Sequence, residues 1–126
     1  MTVIDHLILN INEVDASVKF YVGVLGFKHE GEDGPFTVIR VNDSFTLQLA
    51  PWGTKGNDHL AFALSREDFD KVFATLKERG IPYGDSFHNV GSNSGPGSES
   101  GAKGFAPTIY MNDPNNHLIE IRTYES

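Results

Sequence analysis

The chain has 126 residues, 39% of them hydrophobic and 21% charged, a length and composition that suit one globular domain. Its formal net charge of −7 and its lack of any Lys/Arg cluster disfavour nucleic acid and anionic membrane surfaces as partners. No stretch approaches the roughly 20 apolar residues of a spanning helix, and no signal-peptide pattern opens the chain. The absence of cysteine excludes thiolate ligands and nucleophiles, and it suits the cytoplasmic location that we expect.

An internal repeat is the strongest pattern in the sequence. The tripeptide Asp5-His6-Leu7 recurs as Asp58-His59-Leu60, and each copy opens an apolar stretch followed by an amphipathic helix pattern. Internal repetition determines the architecture, because each repeat is one supersecondary unit. We therefore predict a single domain, 1–126, built from two modules of about 1–54 and about 55–126.

The first module is predicted to follow the order β-α-β-β-β. A helix is expected where apolar residues fall at helical spacing from Val14 to Leu25, with Asn12 or Asp15 as its cap and Gly26 as its stop. Strands are predicted from alternation and turn residues at 4–11, 28–30, 36–41 and 45–50.

The second module repeats that order. Ser65 and Asp68 resemble a capping box at the start of a helix with apolar residues at helical spacing, which ends at Gly80. Strands are predicted at 60–64, 83–90, 107–111 and 118–122. The segment of about 91–104, rich in Gly and Ser, is predicted to be a long flexible loop, typical of lids and substrate loops.

Alternation in the repeated strands separates an apolar face, suited to packing under the helices, from a polar one. The polar face carries His6, Gln48, His59 and Glu120. Buried ionisable groups are costly unless they are paired or bind a metal. We therefore predict an α+β fold in which two β-α-β-β-β modules form a curved mixed sheet around a metal-binding cavity.

The chain resembles the vicinal oxygen chelate superfamily, which includes glyoxalase I, fosfomycin-resistance proteins, bleomycin-binding proteins and extradiol dioxygenases. The resemblance covers nearly the whole length and is carried by Asp5-His6-Leu7, Phe20-Tyr21 to Leu25-Gly26-Phe27, Asp58-His59-Leu60, and Tyr110-Met111-Asn112-Asp113-Pro114 leading to Glu120.

The resemblance implies a set of metal ligands at the first and last strands of each module. These are His6, His59 and Glu120, with Gln48 at the position where glyoxalase I carries a glutamate. Nitrogen and oxygen ligands of this kind suit Fe²⁺, Mn²⁺, Ni²⁺, Co²⁺ or Zn²⁺, and spacing does not choose among them. The metal would act as a Lewis acid towards a substrate that binds through two adjacent oxygens.

The resemblance also proposes catalytic residues. Tyr110 matches the tyrosine that extradiol dioxygenases keep near the ligated oxygens, although a core aromatic is an equal alternative. With Glu120 it forms the candidate catalytic pair. The segment 101–105 lacks the histidine that those dioxygenases place before this strand, which disfavours ring cleavage.

Other side chains are candidates for contact with the substrate, and three further histidines are not expected to bind the metal. The candidate substrate-binding residues are Arg40, Trp52, Phe105 and Arg122. The remaining histidines lack a repeat partner and are expected to be solvent-exposed or close to substrate; they are His29, His88 and His117.

Three functions remain open from the sequence. The first is a metalloenzyme of glyoxalase or dioxygenase type, with a lyase, isomerase or transferase step favoured over oxygenation. The second is a metal-free protein that binds or sequesters an aromatic drug or metabolite, similar to bleomycin-resistance proteins. The third is a regulatory protein that keeps the site without catalysis. In each, the partner is a small molecule, and the resemblance implies a homodimer, because the family's cavity is often completed across two chains.

Overall fold

The computed structural model describes all 126 residues, which form two compact units, Met1–Lys55 and Gly56–Ser126. The elements of the first unit are β1 (His6–Asn10), α1 (Val14–Gly23), β2 (Lys28–Asp33), β3 (Phe36–Asn42) and β4 (Phe45–Ala50). Those of the second are β5 (His59–Ala63), α2 (Arg66–Glu78), β6 (Gly97–Gly101), β7 (Gly104–Asn112) and β8 (Leu118–Arg122). Neither helix has the length and apolar character needed to cross a membrane.

Each unit contains one four-stranded mixed sheet, and the two sheets have the same topology. The strand order is β1-β4-β3-β2 in the first and β5-β8-β7-β6 in the second. In each sheet the first and last strands of the module run parallel, and the other pairings are antiparallel. The predicted α+β fold of two β-α-β-β-β modules is confirmed.

The apolar face of each sheet forms the core of its unit. Leu47 and Leu49 in β4, and Ile119 and Ile121 in β8, are completely buried. Burying a side chain of this size stabilises the fold by about 1.5–3 kcal/mol. Because side chains alternate across a strand, the residues between them lie on the opposite, polar face.

Helix α2 begins and ends as its sequence predicts. The Oγ atom of Ser65 accepts a hydrogen bond from the backbone N–H of Asp68 at 3.1 Å, which confirms the predicted cap. At the other end, Ile81 N–H donates to the carbonyl of Leu76 at 2.9 Å, while Gly80 has a φ of +64°. This is a helix stop that favours glycine, because other residues rarely adopt that conformation.

Helix α1 lacks the cap that its sequence suggested. Glu13 is the N-cap residue and makes no capping hydrogen bond with its side chain. The Oδ1 atom of Asn12 instead accepts a hydrogen bond from Thr54 N–H at 2.9 Å, in the segment that follows β4. Asp15 lies in the first turn of the helix, so neither predicted residue occupies the cap position.

The second module departs from prediction between its helix and β7. The strand predicted at 83–90 is wrong: only Gly84 forms a bridge, with Tyr110. The chain then turns, because the amide of Asn89 bonds both the Asp85 carboxylate and the backbone N–H of Ser86. The fourth strand of this module is instead β6, which lies inside the segment predicted to be a flexible loop and pairs with β7.

Candidate functional site

Glu120 lies at the centre of the polar face of the second sheet. In the ladder it is opposite Ala61 of β5 and Tyr110 of β7. His59, two residues before Ala61, lies on the same face, and its Nε2 atom is 3.0 Å from Oε1 of Glu120. The Glu120 side chain is 6% exposed and that of His59 is 48% exposed. The pair therefore combines a buried carboxylate with an accessible imidazole.

Arg122 holds the other oxygen of the same carboxylate. Its NH1 group donates to Oε2 of Glu120 at 2.7 Å, and both side chains are buried. Burial opposes the charge of the guanidinium, but hydrogen bonds to Glu120 and Tyr124 outweigh burial and raise the pKa of Arg122. This cation compensates the cost of burying the Glu120 charge.

Tyr110 is the third side chain around this carboxylate. Its ring centroid lies 6.1 Å from that of His59. Burial, followed by the charge of Glu120 and a hydrogen bond to it, raises the pKa of Tyr110 to about 12. The phenol is therefore neutral at physiological pH and is a hydrogen-bond donor.

The separation of the His59 and Glu120 donor atoms fits a hydrogen bond, and it also fits two ligands of one ion. Two donor atoms that bind one ion at about 2.1 Å and at right angles lie about 3.0 Å apart. The separation of Nε2 and Oε1 is the same, 3.0 Å. Taken by itself, neither unit brings together three His, Cys, Asp or Glu side chains that could hold an ion. The pair by itself supplies two ligands.

The first sheet carries the corresponding polar positions. Gln48 is opposite Ile8 of β1 and Val38 of β3, and His6 lies two residues before Ile8. The Nε2 group of Gln48 donates to Thr46 Oγ1 at 3.1 Å, whereas its Oε1 atom is buried without a partner. An unpaired buried carbonyl oxygen is costly, so Oε1 of Gln48 is available to accept a further bond.

The imidazole of His6 is oriented by its neighbour in the chain. Its Nδ1 atom lies 2.7 Å from Oδ2 of Asp5. A carboxylate at one ring nitrogen fixes the orientation of a histidine and leaves the other nitrogen for a metal. His6 therefore presents Nε2 as a candidate donor atom.

A cavity of about 510 Å³ lies over the polar face of the first unit. Its walls include Gln48, Arg40 and three carboxylates, Asp5, Asp33 and Asp43. The Nε group of Arg40 donates to Glu30 at 3.1 Å and its NH1 group to a backbone carbonyl. Because its only arginine is already paired with an acid, the cavity is acidic.

The two predicted aromatic contacts lie on the surface. Trp52 is 60% exposed and its ring meets that of Phe36 edge-on at 5.6 Å. Phe105 is 75% exposed at the start of β7. Both rings are open to contact by a molecule from solvent.

The three histidines outside the Asp-His-Leu repeat divide between surface and core. His29 and His88 are exposed, as predicted. His117 is buried, so the expectation of exposure is wrong for it. Its Nδ1 atom accepts a hydrogen bond from Asp58 N–H at 3.2 Å, which links the starts of β8 and β5. It helps to hold together the two strands that carry His59 and Glu120.

Comparisons with known proteins place the chain in a family and identify relatives of similar sequence. Residues 3–121 match the family model described as the Glyoxalase/Bleomycin resistance protein/Dioxygenase superfamily. Virulence protein STM3117 of Salmonella typhimurium is 29% identical, over 96% of this chain and 83% of the relative. Metallothiol transferase FosB of Lysinibacillus sphaericus is 26% identical, over 95% of this chain and 81% of the relative.

Solved structures give the same result. Oxidase ChaP-H2 superposes with a TM-score of 0.78 at 29% identity, over 98% of this chain and 94% of that one. The family match spans almost the whole chain, and the fold has the paired β-α-β-β-β modules that the resemblance implied. The chain therefore belongs to the glyoxalase/bleomycin resistance/dioxygenase superfamily, also called the vicinal oxygen chelate superfamily.

Proposed function

We propose that this protein is a divalent-metal-dependent enzyme acting on a small molecule that binds the metal through two adjacent oxygens. The observation that carries the proposal is the 3.0 Å separation of His59 Nε2 and Glu120 Oε1. His6 completes the ligand trio, with Gln48 as the candidate fourth ligand. Two observations support this assignment. His6 and Gln48 occupy the same ladder positions in the first sheet as His59 and Glu120 in the second. The Oε1 atom of Gln48 is also unpaired.

The ligand atoms are nitrogen and oxygen, which suit Fe²⁺, Mn²⁺, Ni²⁺, Co²⁺ or Zn²⁺. When bound, such an ion supplies Lewis-acid stabilisation of an oxyanion or enolate. Tyr110, which remains protonated and hydrogen-bonds Glu120, is the candidate proton donor or orienting group for the substrate. Arg122 is buried and already engaged, so in this proposal it holds Glu120 and does not bind substrate, contrary to the sequence-based assignment.

The charges around the cavity restrict the substrate. Arg40 is paired with Glu30, and three carboxylates share its cavity, so a doubly charged phosphonate is disfavoured. A neutral, oxygen-rich substrate fits better, with the exposed rings of Trp52 and Phe105 as candidate contacts for a planar group. A lyase, isomerase or transferase step is favoured. Since ChaP-H2 is named an oxidase, oxygen consumption belongs among the assays.

Metal analysis is the direct test of this proposal. Protein freed of metal and then reconstituted is expected to retain about one ion per site, and His59→Ala is expected to lose it. His88→Ala is the matched control, because His88 is exposed and outside the proposed site. Wild-type protein that retains no ion after reconstitution would overturn the proposal.

The alternative is a metal-free binding or sequestering protein for an aromatic drug or metabolite. A panel of catechols, methylglyoxal–thiol adducts and fosfomycin separates the two functions. The enzyme is expected to turn over one class only after reconstitution with metal. A binder would retain its affinity for an aromatic ligand in metal-free protein and in His59→Ala.

We also propose a homodimer located in the cytoplasm. The edge strand β1 and the segment before it expose apolar side chains, including Ile4 and Ile8. Exposed apolar edge strands commonly mark surfaces that pair with another chain. Sedimentation at micromolar concentration is expected to give twice the monomer mass, and a monomer throughout would contradict this proposal.

A further inference from the structure

Arg122 connects Glu120 to the hairpin formed by β6 and β7. Its NH2 group donates to the backbone carbonyls of Glu99 and Gly104, each at 2.9 Å. Its NH1 group donates to Oε2 of Glu120 at 2.7 Å and also lies 3.4 Å from the carbonyl of Ser100. One side chain therefore holds both the closed end of a hairpin and a carboxylate on the central face of the sheet.

The hairpin is shaped to accept this guanidinium. A Cβ atom added at Gly101 would lie 2.3 Å from Cζ of Arg122 and 2.6 Å from its Nε. The backbone of Gly101 is outside the left-handed region, so an alanine there meets no conformational penalty of its own. The position excludes a side chain because Arg122 occupies the space.

Arg122 is enclosed by protein atoms. It is 3% exposed, and the Nε atom beneath the hairpin is buried without a partner. An arginine that is enclosed in this way acts through the groups that it holds. The group with chemical consequence is Glu120, because occupation of Oε2 leaves Oε1 directed towards His59.

We propose that Arg122 is a positioning residue that couples closure of the β6–β7 hairpin to the orientation of the Glu120 carboxylate. The inference rests on the proposed function, in which Oε1 of Glu120 binds the metal. Without the guanidinium, the carboxylate loses its charged hydrogen bond at Oε2 and is held only by the neutral side chains around it, and it keeps a buried charge without its cation. The hairpin loses the donor that ties its carbonyls to the sheet.

Metal titration of metal-free protein with Mn²⁺ tests the positioning role. Arg122→Met is expected to weaken binding by about 10–100-fold, the usual effect of removing a residue that orients a metal ligand. Arg122→Lys keeps the charge but cannot fork between Glu120 and the hairpin, so it is expected to restore little of the loss. Gly101→Ala is expected to weaken binding too, because it displaces the guanidinium. Ser100→Ala is the control and should bind like wild type.

A double variant distinguishes this mechanism from general damage to the hairpin. If Gly101 serves only to admit Arg122, Gly101→Ala combined with Arg122→Met should bind Mn²⁺ no more weakly than Arg122→Met alone. Circular dichroism verifies that each variant is folded. Folded Arg122→Met and Gly101→Ala proteins with wild-type affinity would overturn the positioning role and leave the metal site standing.

Hydrogen exchange tests the coupling without metal. In metal-free protein, both Arg122→Met and Glu120→Gln are expected to speed amide exchange in the hairpin, residues 97–104, and not in helix α2. Unchanged exchange in both variants would overturn the coupling. Wild-type protein that binds no metal would instead overturn the proposed function, and exchange would then decide the coupling by itself.

Discussion

Gln48 and Glu120 occupy the same position in the two sheets. Each lies on the last strand of its module, opposite the third residue of the first strand, Ile8 or Ala61. The residue two places later differs: Arg122 follows Glu120 in the second module, whereas Ala50 follows Gln48 in the first. The module with a buried acid thus carries a cation two residues later on the same strand, and the module with a neutral amide carries an alanine there.

This difference predicts unequal costs of substitution in metal-free protein. Glu120→Gln is expected to lower the free energy of unfolding by about 2 kcal/mol or more, because Arg122 loses its buried counter-ion. Gln48→Met is expected to stay within about 1 kcal/mol of wild type, since it removes one hydrogen bond and one unpaired carbonyl oxygen together. Urea denaturation measures both, and equal losses would contradict the contrast.

In the metal-free protein, Tyr110 should ionise at a higher pH than an ordinary tyrosine. Its pKa is raised to about 12, mainly by burial and then by Glu120. The difference in phenolate absorbance between wild type and Tyr110→Phe reports this ionisation directly. Glu120→Gln should lower the pKa, because it removes the negative charge.

The same shift predicts a dependence of stability on pH. Because the pKa of Tyr110 is higher in the folded than in the unfolded state, folding favours the neutral phenol. This contribution to stability is fully present below pH 10 and is lost as the pH rises from 10 to about 12. Wild type should therefore lose more stability over this window than Tyr110→Phe. Parallel loss in the two proteins would show that Tyr110 does not contribute.

The cap of helix α2 offers a test of the fold that does not involve the site. Ser65→Ala should lower the free energy of unfolding by about 1 kcal/mol, because the backbone N–H of Asp68 loses its acceptor. Ser65→Asp, which keeps an acceptor oxygen, should preserve the stability. Urea denaturation compares the three proteins, and an unchanged Ser65→Ala would show that water replaces the cap fully.

Sequence patterns predicted the elements in which local and tertiary preferences agree. The strand at 45–50 matches β4, whose alternate leucines are buried, and Ser65 caps α2 as its spacing with Asp68 indicates. Such elements bury their apolar residues on one face, so hydrophobic periodicity alone is informative. The division of the chain into two modules of the same topology was predicted from the repeat of Asp-His-Leu.

Sequence patterns failed where backbone pairing or side-chain hydrogen bonds decide the structure. Strand β6, Gly-Ser-Glu-Ser-Gly, has no apolar alternation and is held by its ladder with β7 and by Arg122. The predicted strand at 83–90 turns instead, because Asn89 and Asp85 hydrogen-bond each other. The burial of Arg122 was missed, although its spacing of two from Glu120 places both on one face.

The strand ladders have a consequence for how the polypeptide can be divided. Every ladder of β1–β4 lies before the Lys55–Gly56 peptide bond, and every ladder of β5–β8 lies after it. A cut at that bond would sever the main chain but interrupt no sheet. Each half, expressed separately, would keep every strand pairing of its own sheet.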